Sequence, residues 1–110
     1  MTTLSTHILD TASGRPAEGM QVTLLHDDRV LFEGVSNADG RCPDLREIAV
    51  GQGAYVLRFA VAAYFRAQGQ DLPDPPFLDV VQIDFGMGKE GHYHVPLLVS
   101  PYGYSTYRGS

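Results

Sequence analysis

The chain has 110 residues, 44% of them hydrophobic and 19% charged, with a net charge of −5 at pH 7. A chain of this length buries roughly two thirds of the surface its unfolded form exposes, enough for one hydrophobic core and not two, and its composition is globular. The acidic balance excludes an electrostatic nucleic-acid binder and a basic membrane-surface helix. No apolar run approaches the roughly 18 residues of a membrane span. The lone Cys42 can form neither an internal disulfide nor a cysteine-rich zinc site. The N-terminal residues show no basic stretch followed by an apolar one, so no secretory signal is read and a cytoplasmic location is expected.

Along the chain the pattern is mostly strand. Residues 4–10 are rich in β-formers and are broken by turn chemistry at 11–16. Met20 to His26 alternates apolar and polar and stops at Asp27-Asp28; Val30 to Ser36 is a further strand. Asn37-Ala-Asp-Gly is a tight turn, because Gly40 accepts positive φ without steric cost. Tyr55 to Val61 is the next strand, and Ala62 to Gly69 predicts a short helix with a glycine cap. Pro73, Pro75 and Pro76 make 70–77 a rigid loop. Strands over 80–85, 92–100 and 104–108 follow. Short strands with frequent turn signals and one short helix predict an all-β, antiparallel β-sandwich filling one domain over residues 1–110.

Successive strand side chains point to opposite faces. Over 92–100, Tyr93, Val95, Leu97 and Val99 form a core face, while His92, His94, Pro96 and Leu98 form the other. Over 4–10, Thr6 and Ile8 lie on one side, His7 and Leu9 on the other. A solvated face would be more polar than these second faces, so they are expected to be covered by a partner subunit or a ligand.

The chemistry available is limited. There are four histidines. His26, beside two aspartates at a turn, reads as structural. His92 and His94 share a face, and His7 sits on the mixed face of another strand, so adjacent strands would gather imidazoles suited to general acid–base work. His-X-His plus a third histidine is also permissive for a catalytic zinc site, though no acidic residue stands as its obvious second partner. Nucleophile motifs and phosphate loops are missing, and Cys42 reads as a structural thiol. Arg41, after the Asp-Gly turn, is either a surface cation or an anion clamp. The ending Tyr102 to Ser110 is rich in Tyr and Ser and reads as an edge strand, or as a source of phenol, guanidinium, hydroxyl and carboxylate for one pocket.

Residues 5–10 (Ser-Thr-His-Ile-Leu-Asp) and the run from His92 to Ser110, with its His-Tyr-His and terminal Tyr-Arg-Gly-Ser, resemble the 5-hydroxyisourate hydrolases, the transthyretin-related proteins of urate degradation. The Asp39-Gly-Arg-Cys turn and residues 55–68 fit the same pattern. The resemblance implies a transthyretin-like sandwich of two four-stranded sheets, assembled as a homotetramer (a dimer of dimers) with active sites where subunits face each other. It implies hydrolysis of 5-hydroxyisourate to 2-oxo-4-hydroxy-4-carboxy-5-ureidoimidazoline without metal or cofactor. Carried over by motif, His7, Arg41, His94 and Ser110 are the expected catalytic residues. His7, Arg41, Tyr107, Arg108 and Gly109 are expected to bind substrate, with His92 secondary. Transthyretin itself has lysine in place of His7 and threonine in place of His94, and lacks the Tyr-Arg-Gly-Ser ending. A non-catalytic carrier is the rival from another class.

Overall fold

Leu4, Thr6, Ile8 and Asp10 are all buried and alternate with half-buried Thr3, Ser5, His7 and Leu9, and this period-two pattern defines strand β1 (Thr3–Asp10). The structure, a computed structural model, describes every residue from Met1 to Ser110. The remaining strands are β2 (Arg15–Pro16), β3 (Gln21–His26), β4 (Arg29–Val35), β5 (Gly53–Ala60), β6 (Val80–Met87), β7 (His92–Ser100) and β8 (Gly103–Thr106). They form two four-stranded sheets, in the orders β2-β1-β7-β8 and β4-β3-β5-β6. Between the sheets lies one core of 21 buried residues. Leu4, Ile8, Leu97 and Val99 enter it from the first sheet, and Val22, Leu24, Leu57, Phe59 and Val81 from the second.

The sandwich is antiparallel with one exception: β1 runs parallel to β7. Turn chemistry fixes strand direction only between sequence neighbours, and these two strands are remote in sequence, so local pattern leaves their sense open. The β3–β4 hairpin turns through Asp27 and Asp28, both at positive φ (52° and 63°), the geometry of a turn whose twist matches the flanking strands. His26, beside it, stacks on Tyr55 at 4.3 Å and bonds the Ala54 carbonyl through Nδ1 at 2.9 Å, a structural role.

The one α-helix, α1 (Val61–Ala67), buries Val61, Ala62, Tyr64 and Phe65. It ends where Gly69 (φ 87°) reverses the chain: the Gly69 N–H reaches Arg66 O and the Gln70 N–H reaches Phe65 O, each at 3.0 Å. Tyr64 Oη donates to Asp10 Oδ2 at 2.8 Å, while Asp10 Oδ1 accepts from the Ala12 and Ser13 N–H groups. That buried carboxylate thereby ties the end of β1 to α1 and to the turn that follows β1.

Three local details differ from the sequence expectation. Residues 15–16, read as turn, form a short edge strand on β1, a position that tolerates Pro16. Pro43–Glu47 is a 3-10 turn that buries Leu45. The last strand stops at Thr106 rather than Arg108: the next partner on β7 would be Pro96, which has no N–H to give, and Thr106 Oγ1 donates to its carbonyl instead at 2.8 Å. No helix is long and apolar enough to cross a membrane.

Candidate active site

The parallel register sets Thr3 opposite His92, Ser5 opposite His94 and His7 opposite Pro96. All of these lie on the outer face of the first sheet. His7 and His94 are therefore diagonal neighbours on adjacent strands, about 7–8 Å apart at their backbones. On the other side of β1, Arg41 forms a bridge with His7; on the other side of β7, Gly109 forms one with His94. Arg41, His7, His94 and Gly109, drawn from four distant parts of the chain, thus form one band across the sheet.

Arg41 reaches this place because of Asn37 and Gly40. Asn37 Oδ1 accepts from the Asp39 and Arg41 N–H groups at 3.0 Å each, and its own N–H donates to Arg41 O at 2.8 Å. Gly40 has φ 73°, and its carbonyl accepts from the Ile8 N–H at 2.8 Å. A Cβ at Gly40 would collide with the Ile8 carbonyl, so only glycine lets the turn lie against β1. Gly40 is thus required for the approach as well as for the turn.

The ring positions are fixed by hydroxyls. Ser5 Oγ bonds His94 Nδ1 at 2.7 Å and His92 Nε2 at 2.9 Å, and Thr3 Oγ1 bonds His92 Nδ1 at 2.6 Å. Burial, then the charges of Arg41, His7 and His92, hold His94 below the usual imidazole value of 6.5. His92 is also lowered, first by burial and then by Arg46. At neutral pH these rings are neutral, so His94 can accept a proton, with a guanidinium nearby to meet negative charge. Nowhere do three His, Cys, Asp or Glu side chains converge as metal ligands. The His-X-His pair, which the sequence also allowed as part of a zinc site, is spanned by Ser5 instead. The thiol of buried Cys42 is pushed up to about 11, by burial and then by Asp44, which disfavours the thiolate that a nucleophile needs.

The C-terminal residues divide. Gly109 donates its N–H to His94 O at 2.8 Å and packs so closely that a Cβ there would stand 2.5 Å from His94 Cδ2. Arg108 turns the other way: its Cζ lies 4.2 Å over the Tyr93 ring, on the core side of β7. Together with Tyr107 it lines a cleft of about 230 Å³ at the sandwich edge, beside Ile83, Tyr93 and Thr106. Strand alternation explains this, since Tyr93 and His94 point to opposite faces. Within one protomer, then, His7, Arg41, His94, His92 and Gly109 come together, Tyr107 and Arg108 stand at the sheet edge, and Ser110 is exposed.

Sequence reasoning missed Ser5, Thr3, Asn37 and Gly40 as site builders. Alternation alone puts Thr3 and Ser5 on the face of His7, but their bonds to the other imidazoles required the parallel register.

Comparison with known proteins gives a consistent result. Residues 4–109 match the profile of the HIUase/Transthyretin family. The chain is 54% identical to the 5-hydroxyisourate hydrolase of Mesorhizobium japonicum, across 97% of this chain and 91% of that protein. The solved structure of Klebsiella pneumoniae 5-hydroxyisourate hydrolase superposes with a TM-score of 0.88 at 41% identity, covering 100% of both chains. Sea bream transthyretin in complex with thyroxine superposes with a TM-score of 0.84 at 30% identity, covering 97% of this chain and 94% of that one.

Proposed function

The chain belongs to the HIUase/Transthyretin family, and from that premise we propose that it is a 5-hydroxyisourate hydrolase acting as one domain in the cytoplasm. The observation that carries the choice of hydrolase over carrier is the band of Arg41, His7, His94 and Gly109 on one sheet face. Those groups supply proton transfer and oxyanion stabilisation, which a carrier does not need.

The reaction is hydrolytic opening of the six-membered ring, giving 2-oxo-4-hydroxy-4-carboxy-5-ureidoimidazoline. His94, held neutral, takes a proton from water as its oxygen attacks the ring carbonyl. Arg41 holds the electron-rich heterocycle and meets the charge that develops on the carbonyl oxygen. His7 protonates the departing ring nitrogen, and the hydroxyl proton of the new acid returns to His7. No step calls for a metal or cofactor. General acid–base steps of this kind supply about 10²–10⁴-fold each, so fixed positioning contributes the remainder.

The site is completed by assembly. The outer face carries half-buried Leu9 and Leu98 beside the imidazoles, an apolar character that favours burial against a second copy in a dimer of dimers. In that setting Tyr107 and Ser110 close over the substrate at the junction between subunits, and Arg108, which rests on Tyr93 within its own protomer, binds from the sheet edge.

The test is absorbance decay of freshly generated 5-hydroxyisourate, with and without chelator. Chelator-insensitive acceleration is expected, with loss of most activity in His7→Ala and His94→Ala while fold and assembly persist. Wild-type rates in both variants would overturn the mechanism. Tight binding without turnover would favour the carrier, and loss on chelation a zinc enzyme.

A further inference from the structure

Hydrolysis of a cyclic ureide leaves a proton to be removed. The product acid is ionised at neutral pH, while the released nitrogen belongs to a urea and is not basic, so each turnover frees one proton. In the scheme above that proton is the one His94 takes from water. Direct release from the ring that faces the substrate would require water to enter the reacting cleft. The hydrogen bonds behind the ring offer another exit.

We propose that His94, Ser5, His92 and Thr3 form a proton wire that carries one proton per turnover from the reacting water to the rim of the sheet, away from the substrate. This rests on the hydrolase reading. The wire is an unbroken chain of three bonds: His94 Nδ1 to Ser5 Oγ (2.7 Å), Ser5 Oγ to His92 Nε2 (2.9 Å) and His92 Nδ1 to Thr3 Oγ1 (2.6 Å). A serine hydroxyl has a single hydrogen, so between two rings it donates to one and accepts from the other. The chain therefore has one direction at a time.

In the resting direction His94 Nδ1–H donates to Ser5, Ser5 donates to His92 Nε2, and His92 Nδ1–H donates to Thr3. His94 Nε2 is then bare and faces the site. When it takes the water proton, the Nδ1 proton passes to Ser5 Oγ and the serine proton passes to His92 Nε2. The His92 Nδ1 proton passes to Thr3 Oγ1, and the original Thr3 hydrogen leaves to solvent. One proton enters and one leaves, and every group ends neutral with its tautomer reversed. Once product has left and the cleft is open, His94 Nε2–H gives its proton to solvent while Thr3 takes one back at the rim, and the reverse transfers restore the resting tautomers, so one proton per cycle has still been released.

The surrounding charges favour passage over storage. Burial first, then the charges of Arg41, His7 and His92 at His94 and of Arg46 at His92, disfavour the protonated rings, so neither keeps an extra proton. At the outer end, the Thr3 N–H donates to Gly91 O at 3.0 Å, and the neighbouring Glu90 carboxylate pairs with the Met1 ammonium in an exposed position. That end of the wire thus opens on a hydrated, charged rim.

Ser5→Ala cuts the wire without touching the substrate, and Thr3→Val cuts it at its outer end. In dilute, non-transferring buffer both are expected to lose about 10²-fold in kcat, the lower end of what one proton-transfer step supplies. Added imidazole buffer is expected to restore much of the loss in a concentration-dependent way, and Ser5→Thr, which keeps the hydroxyl, to retain activity. A defect of packing alone would not respond to buffer. Wild-type kcat in both variants, or a loss that buffer leaves unchanged, overturns the wire while leaving the hydrolase reading intact. Absence of 5-hydroxyisourate turnover by the unmodified protein overturns both. As a check independent of turnover, ¹⁵N shifts of His92 and His94 are expected to change together in Ser5→Ala; a change in neither ring would also overturn it.

Discussion

Gly109→Ala offers the sharpest test of how the tail and the imidazole are coupled. The added Cβ would stand 2.5 Å from His94 Cδ2 and 3.2 Å from Cγ, whereas carbons in contact prefer about 3.5–4.0 Å. Roughly 1 Å must therefore open between the tail and the ring. The ring has little freedom to swing, because its Nδ1 is held by Ser5 Oγ at 2.7 Å. The tail gives way instead and loses the Gly109 N–H bond to His94 O, worth about 1 kcal/mol. A 1 Å misplacement beside reacting groups costs about 10²-fold in rate. The expected result is a kcat/KM lower by about 10²-fold in the absorbance decay assay, or about 2.7 kcal/mol of transition-state stabilisation. Thermal unfolding should move by only about 4 °C, since little core is disturbed. Wild-type kcat/KM in this variant would refute the claim that close packing of the tail on His94 matters.

Further outcomes follow from the buried polar groups. Tyr64→Phe removes the hydroxyl that donates to Asp10 Oδ2, leaving part of a carboxylate only 3% exposed without its partner. Denaturant unfolding should show a loss of about 2–3 kcal/mol, and an unchanged midpoint would contradict it. His94 should titrate below 6.5 by NMR, placing the acid limb of kcat/KM below that value, and Arg41→Gln should move its midpoint upward. A downward move would show that the guanidinium does not face the ring. With His92 and His94 both lowered, the unfolded chain binds more protons just below pH 6.5, so stability should fall as pH drops from there through the folded values. Cys42, with its thiol pushed up to about 11, should resist maleimide at pH 7.5 in the native protein and react at once when unfolded; fast native labelling would refute its burial.

Much of this site is legible in the sequence, for identifiable reasons. Alternation along 92–100 separates the core face from the histidine face because strand period is a local property, and the buried Tyr93, Val95, Leu97 and Val99 bear it out. The Gly69 cap and the Asp-Gly turn are equally local. The pairing of β1 with β7 is not: nothing within residues 4–10 states that Ser5 lies opposite His94 and not one step away. The hydroxyls between the imidazoles were invisible for that reason, although they share a face with His7. The tail shows the converse. Its motif names neighbouring residues for one site between subunits, and within a protomer alternation sends Arg108 to Tyr93 and brings Gly109 to His94. The early stop of β8 needed the knowledge that Pro96 would be the next partner, which again is register.

The union of β1 with β7 also bears on how the protein is born. Partners such as Ser5 and His94 are separated by 89 positions, and closing a loop of that length costs about 4 kcal/mol of chain entropy before any contact is gained. The β3–β4 hairpin, turned by two aspartates, bears almost none of this. At ribosomal speeds of roughly 5–20 residues per second, β1 waits several seconds for its mate while the opposite sheet can already pair. During that interval its backbone is an open edge, competent to dock on a wrong strand, and the nascent chain lacks the band of Arg41, His7, His94 and Gly109. That band closes only when an early and a late segment of the polypeptide meet.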